Sequence, residues 1–256
     1  MLVHGLQGSD RSSYALATGL YAWRRGWHVV RMNMRGAGDS ESICPRLYNA
    51  GLDGDLVAAV TAIAQRTPRV GLAGFSLGGN LVLLALARSR EQIPGAVFGA
   101  ATVSAPLDLA ACTRALERRE NWIYERRFMS ELRATYRRLQ KSMPGLYAAG
   151  RERGVATIRE YDTRITAPYG GYASVDEYYS ESSAGPRLHS IQHPCLLLSA
   201  ADDPMIPCET IAHWPLPGNL TREILPTGGH VGFVAKSEVP GQFWAAERLL
   251  AFLEGL

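Results

Sequence analysis

Four cysteines occur in 256 residues. They stand at Cys44, Cys112, Cys195 and Cys208, too scattered to form a C-x-x-C pair. That excludes a disulfide framework and a thiolate zinc site, and no metal is expected. No apolar run approaches the ~20 residues needed to cross a membrane. The N-terminus shows no basic, apolar and small-residue segments in the order of a signal peptide, so a reducing cytoplasm is the expected location. The net charge of +3 is too small to argue for nucleic acid as a partner. No internal repeat and no low-complexity tract interrupts the chain. What remains, 46% hydrophobic and 20% charged residues, is ordinary for a globular protein. The length suits one α/β domain with room for an insertion.

Against that background one stretch stands out. Val70-Gly71-Leu72-Ala73 runs into Gly74-Phe75-Ser76-Leu77-Gly78-Gly79-Asn80 and on into Leu81–Ala87. The first part reads as a buried parallel strand and the last as a buried helix. The turn between them is sharp, with Ser76 at its apex in a strained backbone conformation. Gly74 and Gly78 supply the room that such a turn needs. The hydroxyl is pushed clear of the backbone, and the Leu77 amide is left at a helix start, where negative charge is favoured. A lone G-x-S-x-G is a weak signal, but the flanking strand and helix strengthen it.

The rest of the first half alternates in the same way. Met1–Val3 reads as the end of a strand, followed by the turn His4-Gly5-Leu6-Gln7-Gly8-Ser9. Helical spacing over 12–25 is closed by Gly26, and residues 29–34 form a second strand. A helix is predicted over 52–65, and another strand over 96–104. Strands alternating with helices specify a mainly parallel sheet covered on both faces. Ligand sites in such sheets lie beyond the carboxyl ends of the strands, where these glycine-rich turns fall.

From residue 108 to 189 the alternation stops. Residues 110–138 look helical and carry Arg114, Arg118, Arg119, Arg126, Arg127, Arg133, Arg137 and Arg138. A less regular tyrosine-rich stretch follows. The block reads as a lid inserted into a core made of residues 1–107 and 190–256. Its arginines read first as a solvated face paired with Glu117, Glu120, Glu125 and Glu131. The functional alternative is peripheral contact with an anionic membrane. The alternation resumes with a strand over 194–198, a short strand over 222–225 and a closing helix over 243–253.

A serine hydroxyl needs a base, and the base works best when a carboxylate orients it. Two later strands supply them. One ends in Asp202-Asp203-Pro204, the other in Gly228-Gly229-His230-Val231-Gly232-Phe233. Ser, then Asp, then His is the chain order of the α/β-hydrolase fold. His230 is expected on a mobile glycine turn facing Ser76. Adjacent residues leaving a strand diverge, so only one of the two aspartates reaches it. Asp203 is preferred for the turn it opens, Asp202 is the alternative acid and would otherwise cap the turn, and Asp108 reads as a helix cap. The oxyanion donors are the amides of Leu77 and Leu6. His4 reads as a structural hydrogen bonder, and His28, His189, His193 and His213 show no partner pattern.

With these residues assembled, the chain resembles α/β-hydrolases, and more narrowly their YheT-like branch, the AB-hydrolase-4 family. The shared features are His4-Gly5-Leu6-x-Gly8-Ser9, Asn33-x-Arg35-Gly36, Gly74-Phe75-Ser76-Leu77-Gly78-Gly79-Asn80, Asp162-x-x-x-Thr166-Ala167-Pro168, Gly171-Tyr172, Tyr178-Tyr179, Asp202-Asp203-Pro204 and Gly228-Gly229-His230-x-Gly232-Phe233. The resemblance implies a serine carboxylester hydrolase without a cofactor, with Ser76, Asp203 and His230 at the triad positions. Relatives act on short- to medium-chain esters, acylglycerols or phospholipids, so the expected partner is a small acyl ester or lipid. The family usually has several dozen residues before His-Gly-Leu. The N-terminal strands are therefore expected to be missing, with the strand over 29–34 left as an edge. An acyltransferase with the same triad and a non-catalytic binding scaffold are the alternatives.

Overall fold

The computed structural model describes all 256 residues. Six parallel strands form one sheet: β1 (Leu2–Val3), β2 (Arg31–Met32), β3 (Val70–Phe75), β4 (Val97–Val103), β5 (Cys195–Ala200) and β6 (Leu220–Leu225). Their spatial order is β2-β1-β3-β4-β5-β6, so β2 and β6 are the edges. The chain moves outward from β1 to β2, then returns to place β3 on the other side of β1. That reversal opens a crevice at the carboxyl ends of β1 and β3, where the Gly5–Leu6 turn and Ser76 emerge.

The central strands are near-continuous apolar runs because both faces are covered. Side-chain alternation divides each run between two cores. Leu72 of β3 and Leu197 of β5 join the larger core. Phe75 of β3 and Leu196 and Leu198 of β5 join the smaller one on the opposite face. The connecting helices are α1 (Ser13–Arg24), α2 (Asp53–Ala64) and α3 (Leu77–Arg88). In α3 every residue from Leu77 to Ala87 is buried, which explains why that stretch is apolar all round.

Between β4 and β5 stand α4 (Leu109–Leu116), α5 (Trp122–Ser142), α6 (Ile158–Tyr161), a π-helical turn over Asp162–Thr166, α7 (Ala167–Gly170) and α8 (Val175–Ser182). The helix expected over 110–138 is thus two helices, parted by a short 3₁₀ turn over Arg119–Asn121. Asn121 fixes the break. Its amide is buried and donates to the carbonyls of Ala115, at 2.8 Å, and Pro204, at 2.6 Å. The tyrosine-rich stretch is also more regular than its sequence suggests. It folds into three short helices whose phenols are mostly buried. After β5 come α9 (Glu209–Ala212) and, past β6, the closing helix α10 (Trp244–Glu254).

Candidate active site

Ser76 joins β3 to α3 with φ 50° and ψ −124°. A non-glycine residue there stores about 1–3 kcal/mol of strain, which the surroundings must hold. They do so through close backbone contact. A Cβ at Gly74 would lie 2.5 Å from the Gly78 carbonyl oxygen, and one at Gly78 would lie 2.3 Å from that of His4. Only glycine lets the three backbones approach this closely. The Ser76 amide donates to the Val103 carbonyl at 2.8 Å, which ties the turn to β4.

His230 Nε2 lies 2.9 Å from Ser76 Oγ. Its Nδ1 lies 3.0 Å from Asp203 Oδ2 and 3.2 Å from Oδ1. A ring nitrogen facing a carboxylate carries the proton, so Nδ1 donates and Nε2 is left to accept from the serine. Asp203 is buried, and its Oδ1 also accepts from the amides of Met205, at 2.9 Å, and Ile206, at 3.1 Å. Asp202 does not reach the histidine. Its exposed carboxylate accepts from the amides of Gly228 and Gly229, both at 2.8 Å, and so fastens the turn that carries His230. Asp108 accepts from the Ala111 amide at 2.9 Å and caps α4.

The turn of His230 is strained rather than loose. Gly229, Val231 and Phe233 all have positive φ. Beyond the Asp202 contacts, the Phe233 amide donates to the Gly228 carbonyl at 2.7 Å. The Val231 amide donates to Ser104 Oγ at 3.2 Å. Ser104 is buried at the end of β4, itself at φ 51°. Sequence reasoning missed it, because a serine closing an apolar strand gives no sign of what its hydroxyl holds.

The Gly5–Leu6 turn lies against Ser76. A Cβ on Gly5 would sit 3.0 Å from the Ser76 Cβ and 3.5 Å from Oγ. The Gly5 amide donates to the Tyr14 hydroxyl at 2.9 Å, and the Gln7 amide to the Tyr48 hydroxyl at 2.5 Å. Between these two engaged amides, that of Leu6 has no protein acceptor, and neither has that of Leu77. His4 is buried under the turn. Its Nε2 accepts from the Met34 amide at 3.1 Å, so Nδ1 carries the proton and donates to the Gly5 carbonyl at 2.8 Å. Burial lowers its pKa and keeps it neutral. Tyr14 and Tyr48 escaped the sequence reading, since nothing local links them to the turn they hold.

Two cavities meet at Ser76 and His230. The inner one runs under the inserted helices and is largely apolar, with Leu77, Leu109, Leu132 and Ile158 in its wall. The outer one is open and polar, bordered by Gly8, Ser12, Arg127 and Glu131. Leu6 borders both. Cys112 also lines the inner cavity, but burial pushes its thiol up and keeps it protonated and unreactive. His28, His189, His193 and His213 line neither cavity. No group of three or more His, Cys, Asp or Glu is arranged to hold a metal ion.

The insertion is fastened to this site at several points. Thr135 of α5 donates to Gln7 Oε1 at 3.0 Å. Asn80, fully buried in α3, donates to the Ser182 carbonyl at 2.7 Å and accepts from the Ala184 amide at 2.9 Å. Of the eight arginines singled out in this block, only Arg127 pairs with one of the expected glutamates, Glu131, at 3.0 Å. Arg137 pairs with Glu152 and Arg138 with Glu41. Arg114, Arg118, Arg119, Arg126 and Arg133 make no ion pair, and Arg133 donates instead to the Val155 carbonyl.

The sequence matches the α/β hydrolase fold family over residues 1–237. It is 33% identical over 254 residues to the YheT protein of Escherichia coli (strain K12), covering 97% of this chain and 74% of that one. It is 31% identical over 242 residues to the phospholipase ABHD3 of Mus musculus, covering 91% of this chain and 58% of that one. Among solved structures, the Pyrococcus furiosus esterase Pf2001 superposes with a TM-score of 0.62 at 16% identity, covering 99% of this chain and 82% of that one. The chain belongs to the α/β-hydrolase family, in its YheT-like branch.

Proposed function

We propose that Ser76, His230 and Asp203 are the nucleophile, base and orienting acid of a serine carboxylester hydrolase. The enzyme class, a carboxylic ester hydrolase, is the one carried by relatives and structural neighbours named as phospholipase, monoacylglycerol lipase and esterase. The observation that carries the mechanism is the single imidazole bridging Ser76 Oγ and a buried carboxylate. His230 takes the serine proton as Oγ attacks the ester carbonyl. The amides of Leu6 and Leu77 receive the developing oxyanion, worth about 2.7–4 kcal/mol for each such donor. His230 then gives its proton to the leaving alcohol. Water, deprotonated by His230, attacks the acyl-enzyme and releases the acid. No step calls for a metal or an organic cofactor.

The residues over 108–189 serve as a lid. Under it, the inner apolar cavity takes the acyl chain, of short to medium length, and the open polar trough takes the alcohol side. Trp122, Ile123 and Tyr124 open α5 as consecutive exposed apolar side chains beside the unpaired Arg118, Arg119 and Arg126. Aromatic and basic residues together, next to Tyr124 and Arg127 on the border of the trough, suit an anionic lipid surface. Sedimentation with vesicles rich in phosphatidylglycerol should pull down the wild type more than a Trp122→Ser, Ile123→Ser variant; equal recovery would remove the membrane from this reading.

The test of the reaction is ester cleavage with methanol added as acceptor. Release of free acid as the main product supports hydrolysis. Methyl ester as the main product would assign the same three residues to an acyltransferase.

A further inference from the structure

The inner cavity is largely apolar, and away from Ser76 and His230 its wall carries one carboxylate. Asp162 enters there from the first residue of the π-helical turn, together with Thr166, Tyr178 and Tyr179. Tyr179 donates its hydroxyl to Asp162 Oδ2 at 2.8 Å. The Thr166 hydroxyl stands beside the carboxylate, and no backbone amide donates to its other oxygen, Oδ1. The Tyr178 hydroxyl accepts from the Ala50 amide at 3.1 Å, and its own proton has no protein acceptor. A half-buried carboxylate in a largely apolar wall is expensive to keep. Burial pushes this one up to about 6, against the opposing effects of the Thr166 and Tyr179 hydroxyls and the charge of Arg159. The phenols of Tyr161 and Tyr178 are also close enough to feel its charge. A π-helical turn is itself a costly local feature, frequently kept at sites that act on ligands. The reaction at Ser76 does not use any of these groups.

We propose that Asp162 and Tyr178 form a polar subsite within the acyl cavity that selects acyl chains bearing a hydroxyl group. The match is one of donors and acceptors. A ligand hydroxyl gives its proton to Asp162 Oδ1 and accepts the idle proton of Tyr178, so both groups are satisfied at once. A plain alkyl chain leaves the Tyr178 proton idle and Asp162 with only the Tyr179 and Thr166 hydroxyls, and sites built to hydrogen-bond a substrate group discriminate strongly against analogues that lack it. The subsite rests on the reading of the inner cavity as the acyl pocket.

The test is a panel of methyl esters of hexanoic, octanoic and decanoic acids, set against their 3-hydroxy and ω-hydroxy counterparts. At least one hydroxy ester should be cleaved with a kcat/KM about tenfold or more above its plain partner, as expected for one hydrogen bond to a charged group. In Asp162→Leu that ratio should fall to near one. In Asp162→Asn, which keeps the shape and one acceptor, it should fall part of the way. The ratio is read within one preparation, so it does not depend on the fraction folded. In the wild type it should also change as the pH passes about 6, where Asp162 titrates, and stay flat in Asp162→Asn. Cleavage of both series with no preference by the wild type overturns the subsite alone. So does a preference that survives both substitutions, since Asp162 would then only fasten Tyr179. A wild type that cleaves neither series overturns the hydrolase reading and the subsite with it.

Discussion

The two walls that meet at Ser76 are built by different means. The carboxyl edge of the sheet, where the strands end, holds its residues mainly through the backbone. Ser76, Ser104, Val231 and Phe233 sit at positive φ. Their turns are closed by main-chain amides, which donate to neighbouring carbonyls and to Asp202, Ser104, Tyr14 and Tyr48, and by glycines that allow contacts no side chain would permit. The inserted helices hold theirs through side chains. Asn80 and Asn121 stitch the block to the core, and Tyr136, Tyr161, Tyr178 and Tyr179 pack it from within. Strain at the edge fixes one geometry for chemistry, whereas side-chain packing under the helices can change shape and polarity without disturbing it. Reaction type should therefore follow the edge, and choice of substrate the insertion.

The sharpest way to break that division is at the edge. Ser76→Ala should lower kcat/KM for short-chain esters by about 10⁴-fold or more, with the fold intact by circular dichroism. Asp203→Asn should lower it by about 10⁴-fold, because the imidazole would be held in the wrong tautomer. Asp202→Asn is the control in the same turn. It keeps an oxygen acceptor for the Gly228 and Gly229 amides and loses only an exposed charge, and should lower activity by roughly tenfold or less. Equal losses at both positions would show that the wrong aspartate has been assigned to His230.

A second prediction concerns the insertion and is read as stability. Asp162 has its pKa raised from 3.8 to about 6, by burial above all. Between those values the folded chain holds a proton that the unfolded chain has lost. The contribution is therefore present below about pH 4 and is lost as the pH rises through 6. It amounts to about 3 kcal/mol at most, from about 1.4 kcal/mol per pH unit. Asp162→Asn has no such titration, so its stability relative to wild type should improve by up to that amount between pH 4 and pH 7, as read by urea denaturation. A pH-independent difference would mean that the carboxyl is not buried as described.

A further effect returns to the edge. Ser104→Ala leaves the buried Val231 amide without its acceptor, which should destabilise the fold by about 1–3 kcal/mol. It should also loosen His230 enough to slow cleavage by about tenfold. A stability loss without a rate loss would place Ser104 in the scaffold alone.

The same division explains what could be read from the sequence. The elbow at Ser76 was legible because glycines at 74 and 78 have few other uses between a strand and a helix. The strand-helix alternation was legible because buried parallel strands are written as uninterrupted apolar runs. Asp203 could be preferred over Asp202 from the turn it opens. The hydroxyls of Ser104, Tyr14 and Tyr48 were not legible, since their partners lie far along the chain and the sequence carries no record of that pairing. The break between α4 and α5 was hidden for a similar reason. Asn121 reads as an ordinary polar residue until the Pro204 carbonyl is seen beside it. In the tyrosine-rich stretch the residues were visible as a group, but not that one carboxyl among them lines the cavity of Ser76.

The central claim is that Ser76 is an activated nucleophile. Intact-mass analysis after incubation with a fluorophosphonate tests it without assuming a substrate. The wild type should gain one adduct per chain and Ser76→Ala none. A wild type that is folded yet stays unlabelled, or a variant labelled as readily as the wild type, would contradict the account.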